Sequence, residues 1–93
     1  MEFTFEWDPA KAELNEQQHG VSFKEASTCF GDSESLTIYD PDHSDDEDRY
    51  VLLGMSGEAN LLVVVHTERG DNIRLISARR ADRREAAQYA RAK

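Results

Sequence analysis

The stretch LLVVVHTE, residues 61–68, constrains the fold of this chain more than any other segment. Its three consecutive valines favour extended backbone, and a nearly continuous apolar run is typical of a strand covered on both faces. The Arg-Gly-Asp sequence at 69–71 then indicates a turn, and NIRLISAR at 72–79 indicates a second strand. We therefore predict a sheet with residues 61–68 at its centre and residues 72–79 beside them.

Three further strands are predicted from side-chain alternation and from turn residues. Residues 3–6 (FTFE) alternate apolar and polar side chains, as a half-buried strand does. Residues 35–40 and 49–55 have the same strand character on either side of an acidic loop at 41–48. Because strands that follow one another through short loops usually pair with their neighbours in opposite directions, we expect an antiparallel sheet.

Capping signals predict three helices. Asp8 stands before Pro9 as an N-cap, and Gly20 ends the first helix. Ser22 begins the second helix and Asp82 the third, and each is followed three residues later by a glutamate, the spacing of a capping box. The predicted order is β-α-α-β-β-β-β-α, so the fold class is α+β: an antiparallel sheet with two N-terminal helices and a C-terminal helix.

Length and composition narrow the class of protein. With 93 residues, the chain is expected to form a single domain over residues 1–93. Cys29 is the one cysteine, so no internal disulfide can form. Residues 1–11 lack the cationic and apolar regions of a secretory signal, and no apolar run is long enough to span a membrane. These features predict a cytoplasmic protein.

Charge is distributed unevenly along the chain. Residues 1–68 carry three basic and 16 acidic side chains, a net charge of −13, whereas residues 69–93 carry eight basic and three acidic side chains, a net charge of +5. The basic part could bind phosphate, and the acidic part could bind a basic protein partner while it repels a long polyanion. A last helix that is merely charged and solvated explains the basic part equally well.

His66 and Glu68 are the candidates for acid–base chemistry, because residues two apart on a strand project from one face. His66 would meet Arg74 only if the turn between the strands has an odd number of residues, and an even number would part them. Metal-independent RNA cleavage needs a base, an acid and cations at the phosphate, which these residue types can supply. Turn charges and a hydrogen-bonded histidine at a strand end are the simpler interpretation.

Four segments together resemble the BrnT family of toxins over nearly the entire chain: FEWDPAKAELNEQQHGVSFKEAS, FGD, DPDHSDDEDRYVLLGMS and LLVVVHTERGDNIRLISARRADRRE. The resemblance implies a RelE-like fold and a ribonuclease toxin of a type II toxin-antitoxin system, which cuts RNA and blocks translation. It further implies catalysis with no metal and no other cofactor. The expected partner is a BrnA antitoxin in a hetero-oligomer, with DNA bound only through the antitoxin.

The resemblance also assigns roles to particular residues. Arg74 and Arg79 would stabilise the phosphate, and His66 or Glu68 would transfer the proton, with base and acid undecided between them. Five further basic residues would contact RNA without taking part in the chemistry: Lys11, Arg69, Arg80, Arg83 and Arg84.

Two other functions stay open at this point. The chain could be a catalytically inert member of the family that acts only as a protein-binding module and operon co-repressor in the antitoxin complex. It could also be a nucleic-acid-binding regulator without catalysis, which would bind intact RNA or DNA in a salt-sensitive way. Growth arrest that the adjacent gene product relieves would separate the toxin from the first alternative, and RNA product ends would separate it from the second.

Overall fold

In the computed structural model of the chain, residues 3–92 are described. Their elements follow the predicted order, and the α+β class is confirmed. Short 3-10 turns follow the second helix and the second strand. The helices and strands are β1 (Thr4–Glu6), α1 (Pro9–His19), α2 (Phe23–Thr28), β2 (Leu36–Asp40), β3 (Arg49–Met55), β4 (Leu61–Arg69), β5 (Asn72–Arg80) and α3 (Arg83–Arg91).

The five strands form one sheet in the order β1-β5-β4-β3-β2, so β4 lies at the centre as predicted. Strands β2 to β5 pair in antiparallel fashion through successive hairpins. Strand β1 pairs parallel to β5, in contrast to the expected antiparallel arrangement. No hairpin sets the direction of β1, because the two helices and three other strands separate it from β5 along the chain.

The two faces of the sheet carry different helices. We call them the α1–α2 face and the α3 face. The core of the α1–α2 face contains Leu62 and Val64 of β4, packed among Phe23, Ala26 and other residues of this face. The core of the α3 face contains Val63 of β4, packed with Tyr89 of α3. Both faces are therefore covered at β4, which explains why its sequence lacks apolar–polar alternation.

Helix α1 is held against β5 by Asn15, which is buried. Its amide nitrogen donates to the carbonyl oxygens of Val21 (3.0 Å) and Ala78 (2.8 Å), and its Oδ1 accepts from the Ala78 N–H (3.0 Å). The helix begins at the predicted cap, where Asp8 accepts from a backbone N–H, and ends at Gly20, whose φ is +68°. These contacts position the helix over the sheet.

Helix α3 begins with the capping box that the sequence predicts, formed by Asp82 and Glu85. At the start of α2, Ser22 accepts from the Glu25 N–H, while the Glu25 carboxylate accepts from Ser56 and Asn60. Glu25 thus ties α2 to the turn between β3 and β4. None of the helices in residues 3–92 has the length and apolarity that crossing a lipid bilayer requires.

The hairpin between β4 and β5 has a two-residue turn at Gly70 and Asp71, and Gly70 adopts a φ of +65°. Arg69 therefore pairs with Asn72, and the ladder shifts register once, just before His66. The turn length is even, so the second of the two registers left open by the sequence is the one present. His66 lies opposite Leu75 rather than Arg74.

Candidate functional site

His66 and Glu68 form a hydrogen-bonded pair on the α1–α2 face of β4. The Nε2 atom of His66 lies 2.9 Å from Oε2 of Glu68. The side chain of His66 is 0% exposed, whereas that of Glu68 is 41% exposed. Solvent and ligands can therefore reach Glu68, and His66 lies behind it.

Two aromatic rings enclose the imidazole of His66. The ring of Phe30 meets it edge-on with centroids 4.8 Å apart, and the ring of Tyr50 stacks on it with centroids 6.0 Å apart. Nδ1 lies 3.4 Å from the carbonyl oxygen of Val64, a much longer contact than the one at Nε2. Because the carboxylate only accepts, the Nε2–H group donates to Glu68. The two rings thus hold the imidazole in the orientation in which its Nε2–H group donates to Glu68.

Arg74 lies on the α3 face, opposite Thr67 and Glu6 in the ladders of the sheet. Its guanidinium donates to Oε2 of Glu6 at 2.6 Å, and the side-chain amide of Asn72 donates to the same carboxylate. These donors, Arg74 first, lower the pKa of Glu6 below its ordinary value. The positive charge of Arg74 is therefore compensated by the carboxylate of Glu6 on β1.

Arg79 also lies on the α3 face, where its ladder partner is Val63. Its two terminal nitrogens donate to the two oxygens of Glu85, each at 2.8 Å. This paired contact lowers the pKa of Glu85 and raises that of Arg79. Because the ladder shifts register between them, the partners of Arg74 and Arg79 are Thr67 and Val63, four residues apart on β4, which corresponds to a separation of about 13 Å at the rise of a strand.

The structure brings His66 and Glu68 together and separates them from Arg74 and Arg79. The roles that the family resemblance assigns would bring all four groups to one phosphate, but the two-residue turn places His66 and Arg74 on opposite faces. A sheet cannot be crossed by a side chain, so one phosphate held against a face of the sheet cannot contact all four groups. Their roles in RNA cleavage stay predictions.

The remaining basic residues predicted to contact RNA lie at four places. Arg69 ends β4 and donates to Glu47 of the loop between β2 and β3, with Nε 2.7 Å and NH2 2.6 Å from Oε2. Arg80 donates to Oδ1 of Asn60 at 2.9 Å. Lys11 is exposed on α1, and two neighbouring arginines are exposed in the first turn of α3: Arg83 and Arg84.

Sequence reasoning missed the groups that surround the candidate residues. Glu6 is 68 positions from Arg74 in the chain, and Glu47 is 22 positions from Arg69. No local pattern indicates such pairs, because they depend on the parallel addition of β1 and on the path of the acidic loop. Tyr50 had a usable signal, since a strand that pairs with β4 must place some residue opposite His66.

Side chains that can bind a metal ion do not cluster in the described part of the chain. Within residues 3–92, no group of three or more His, Cys, Asp or Glu side chains is arranged to hold a metal ion.

The five-stranded mixed sheet with helices on both faces and the imidazole–carboxylate pair define a small α+β protein with a candidate acid–base site. A family model for the ribonuclease toxin BrnT of type II toxin-antitoxin systems matches residues 7–85. The chain belongs to this BrnT family, which confirms the resemblance read from the sequence. The family class implies an antitoxin partner.

Comparison with solved structures supports the same fold. The 1.1 Å crystal structure of the Brucella abortus ribonuclease toxin BrnT matches with a TM-score of 0.63. The match covers 87% of this chain and 99% of that chain, at 20% sequence identity. No curated protein sequence matches the chain. At this identity the structural match establishes the shared fold.

Proposed function

We propose that this chain is an endoribonuclease that cleaves RNA without a metal ion and thereby inhibits translation. A BrnA-like antitoxin would neutralise it. Membership of the BrnT family over residues 7–85 supports the class of ribonuclease toxin. The observation that carries the mechanism is the 2.9 Å contact between the buried His66 and the exposed Glu68.

In the proposed reaction, Glu68 is the catalytic residue that removes the proton from a ribose 2′-hydroxyl. The freed oxygen attacks the adjacent phosphorus, the bond to the 5′-oxygen breaks, and that oxygen takes a proton from a water molecule, which regains one from the protonated Glu68 carboxyl group. The products are a 2′,3′-cyclic phosphate and a 5′-hydroxyl. Glu68 takes this role because its side chain is accessible, whereas that of His66 is not.

His66 would act through Glu68 as a positioning residue. Its Nε2–H donates to the carboxylate, and the rings of Phe30 and Tyr50 prevent the imidazole from turning away. A fixed donor holds the carboxylate in the orientation that proton abstraction needs. The same N–H group would stabilise the negative charge of the Glu68 carboxylate before it takes up the proton.

Arg69 and Arg74 would stabilise the phosphate at the end of the hairpin. Arg69 follows Glu68 directly, at the strand end where RNA can touch both faces of the sheet. Both arginines are bound to carboxylates, Arg69 to Glu47 and Arg74 to Glu6, which the phosphate would displace. A guanidinium binds two phosphate oxygens at once, so the exchange is geometrically possible.

More distant basic residues would bind RNA beyond the cleaved bond. Arg79 is about 13 Å from Arg74 along the sheet, so we propose an RNA-binding role for it in place of the predicted catalytic one. It would act with the other basic residues that the sequence singled out: Lys11, Arg80, Arg83 and Arg84. Together they would supply the salt-sensitive part of the affinity.

The test is RNA cleavage by the purified protein in buffer that contains EDTA. Glu68→Gln should reduce the rate by about 100-fold or more, because it removes the proton acceptor. His66→Gln should reduce the rate and change its pH profile, since the carboxylate loses its fixed donor. Glu58→Gln, the same chemical change at an exposed turn, is the matched control and should cleave normally.

Three results would contradict the proposal. Full activity of Glu68→Gln would show that Glu68 is not the general base. Loss of cleavage in EDTA would show that a metal ion is required. Products that end in a 3′-hydroxyl would exclude attack by the 2′-oxygen.

A catalytically inert antitoxin-binding module is the second candidate function. Its supporting observation is that Arg69, Arg74 and Arg79 each bind a carboxylate, which leaves their charge compensated. This candidate predicts that RNA stays intact and that expression of the chain in bacteria does not arrest growth. The antitoxin complex would still form.

A further inference from the structure

The loop between β2 and β3 encloses a pocket of about 380 Å³ at the end of β4. We call it the acidic pocket. Glu68 also borders it. The side chains that line it are mostly carboxylates: Ser44, Asp45, Asp46, Glu47, Asp48 and Thr67. A ligand for this pocket must carry positive charge.

The carboxylates of the acidic pocket are only partly compensated by the protein itself. Glu47 forms the ion pair with Arg69, and Asp48 accepts from the hydroxyl of Tyr39 at 3.1 Å. Asp45 and Asp46 form no ion pair within residues 3–92. The pocket thus keeps an excess of negative charge.

Thr67 adds a second observation at the same place. Its side chain is 2% exposed and lies against the acidic pocket, and its hydroxyl has no hydrogen-bond partner within residues 3–92. Buried hydroxyl groups are normally paired. A hydrogen-bond donor that enters the pocket would supply the partner. A lysine ammonium or an arginine guanidinium combines that donor with the required charge.

A second concavity, of about 400 Å³, lies on the α3 face between α3 and strands β2 and β3. We call it the apolar groove. Its apolar floor consists of Leu36, Ile38, Val51, Leu53 and Val63. Ile38 is 65% exposed, an unusual state for a large apolar side chain on a sheet. The strand that carries it, β2, is the edge of the sheet.

The apolar groove and the acidic pocket share no lining residue, but they follow one another along β2 and the loop after it. Ile38 and Asp40 project from the same face of β2, about 7 Å apart, and the acidic loop begins after Asp40. In the ladder Asp40 pairs with Arg49, which in turn pairs with Thr67 at the acidic pocket. An extended or helical segment of a few turns could therefore occupy both concavities at once.

We propose that this groove–pocket surface binds the antitoxin through a basic amphipathic segment. The apolar side chains of that segment would fill the apolar groove, and a lysine or arginine would enter the acidic pocket. The inference rests on the antitoxin partner of the proposed function. Charge complementarity favours a protein over RNA here, because clustered carboxylates repel phosphate groups.

The same contact accounts for neutralisation of the toxin. Glu68, the proposed base, borders the acidic pocket. A cation held there by Asp45 and Asp46 would lie beside the Glu68 carboxylate and compensate its charge. The antitoxin would thereby block access of the 2′-hydroxyl and disfavour proton abstraction.

The experiment uses the full chain and the purified product of the adjacent gene, with the dissociation constant measured by calorimetry. Ile38→Glu should weaken the complex by about tenfold or more, as for a central apolar contact. Leu14→Glu is the matched control, since Leu14 is 50% exposed on α1, and it should bind normally.

Two further variants test the acidic pocket. The Asp45→Asn, Asp46→Asn double variant should weaken binding by about tenfold at low salt and by less at high salt. The Glu13→Gln, Glu16→Gln double variant on α1 is its control and should bind normally. Thr67→Val keeps the shape of the side chain and should weaken binding by about fivefold through loss of the hydroxyl.

Each outcome has a defined meaning. Wild-type affinity of Ile38→Glu and of the Asp45, Asp46 double variant would overturn the proposal, as would absence of any complex. Weaker RNA binding in place of weaker antitoxin binding would assign the surface to RNA and also overturn it. Cleavage of RNA is measured in the same preparations. An inactive chain whose complex depends on Ile38 would refute the ribonuclease and leave this inference standing.

Discussion

At the scale of single residues, Asn15 shows how one buried polar group determines the position of a helix. Its amide makes three hydrogen bonds, two of them to the backbone of Ala78 in β5. One backbone N–H and two backbone carbonyl oxygens are hydrogen-bonded to this side chain. The net contribution of three hydrogen bonds to stability is modest. Removing the side chain costs more, because it leaves buried backbone groups without partners.

We expect Asn15→Leu to lower the free energy of unfolding by about 3 kcal/mol, since it leaves buried backbone groups unpaired. Urea denaturation followed by circular dichroism measures the change. Gln17→Leu introduces the same side chain at an exposed position of α1 and should change stability by less than about 0.5 kcal/mol. Equal effects of the two substitutions would mean that the Asn15 bonds contribute little.

At the scale of secondary structure elements, the attachment of α3 depends on a few polar contacts around Tyr89. Tyr89 is buried against Leu53 and Val63, and its hydroxyl donates to Asp32 at 2.6 Å. The hydrogen bond to Asp32 and burial raise the pKa of Tyr89 to about 12. The Arg79–Glu85 ion pair fastens the start of the same helix to β5.

The Arg79–Glu85 pair predicts a dependence of stability on pH. The pKa of Glu85 is lower in the folded chain than its ordinary value of 4.5, chiefly because Arg79 donates to it. Its contribution is therefore present above pH 4.5 and is lost as the pH falls through the folded pKa. Glu85→Gln should be less stable than wild type by about 0.5–1 kcal/mol at pH 7.

This difference should shrink as the pH falls below 4.5 and should close below the folded pKa of Glu85, where both proteins lack the charge on residue 85. Thermal unfolding at several pH values measures it, with Glu13→Gln, an exposed change on α1, as the control. A stability difference for Glu85→Gln that does not vary with pH would contradict the assignment to the ion pair.

Strand β3 passes close to the 3-10 turn that follows α2, and Gly54 is the point of closest approach. A Cβ atom at this position would lie 2.9 Å from Cδ2 of Leu52 and 3.2 Å from the carbonyl oxygen of Cys29. The carbonyl cannot move without displacing the turn. Glycine is therefore required here by space and not by its backbone angles.

We expect Gly54→Ala to destabilise the fold by about 1–3 kcal/mol through overpacking. Gly57→Ala is the matched control, because its Cβ would meet Thr28 at an ordinary distance of 3.6 Å. Chemical denaturation of both variants measures the difference. A Gly54→Ala variant as stable as wild type would show that the 3-10 turn moves away from the added methyl group at little cost in free energy.

At the scale of the whole molecule, the position of charges matters more than their sum. The molecule measures 32 × 29 × 27 Å, whereas electrostatic interactions in 0.1 M salt are screened over about 10 Å. Groups at one end therefore act nearly independently of those at the other. The net charge of −8 would therefore not prevent the RNA binding proposed for the basic start of α3, and the acidic loop would repel RNA mainly near the hairpin.

The Asp45→Asn, Asp46→Asn double variant should therefore bind RNA about threefold more tightly in 0.1 M salt, since local repulsion falls. Fluorescence anisotropy with a labelled single-stranded RNA measures the affinity. The gain should shrink in 0.5 M salt. An equal gain at both salt concentrations would show that the acidic loop obstructs RNA sterically.

The sequence by itself determined the elements, their order and the family. Capping residues such as Asp8 and Asp82 and the valine run of β4 act over a few neighbouring positions, so their signals can be read locally. The pairing of His66 with Glu68 belongs to this group, because alternation along one strand places both side chains on the same face.

Only the tertiary structure decided which functional groups of different strands share a face. The two-residue turn put Arg74 on the opposite side of the sheet from His66, and parallel addition of β1 brought Glu6 to it. The sequence was compatible with both turn lengths. The physical reason is that strand register depends on how the entire sheet packs against its helices, and residues far apart in the chain contribute to that packing.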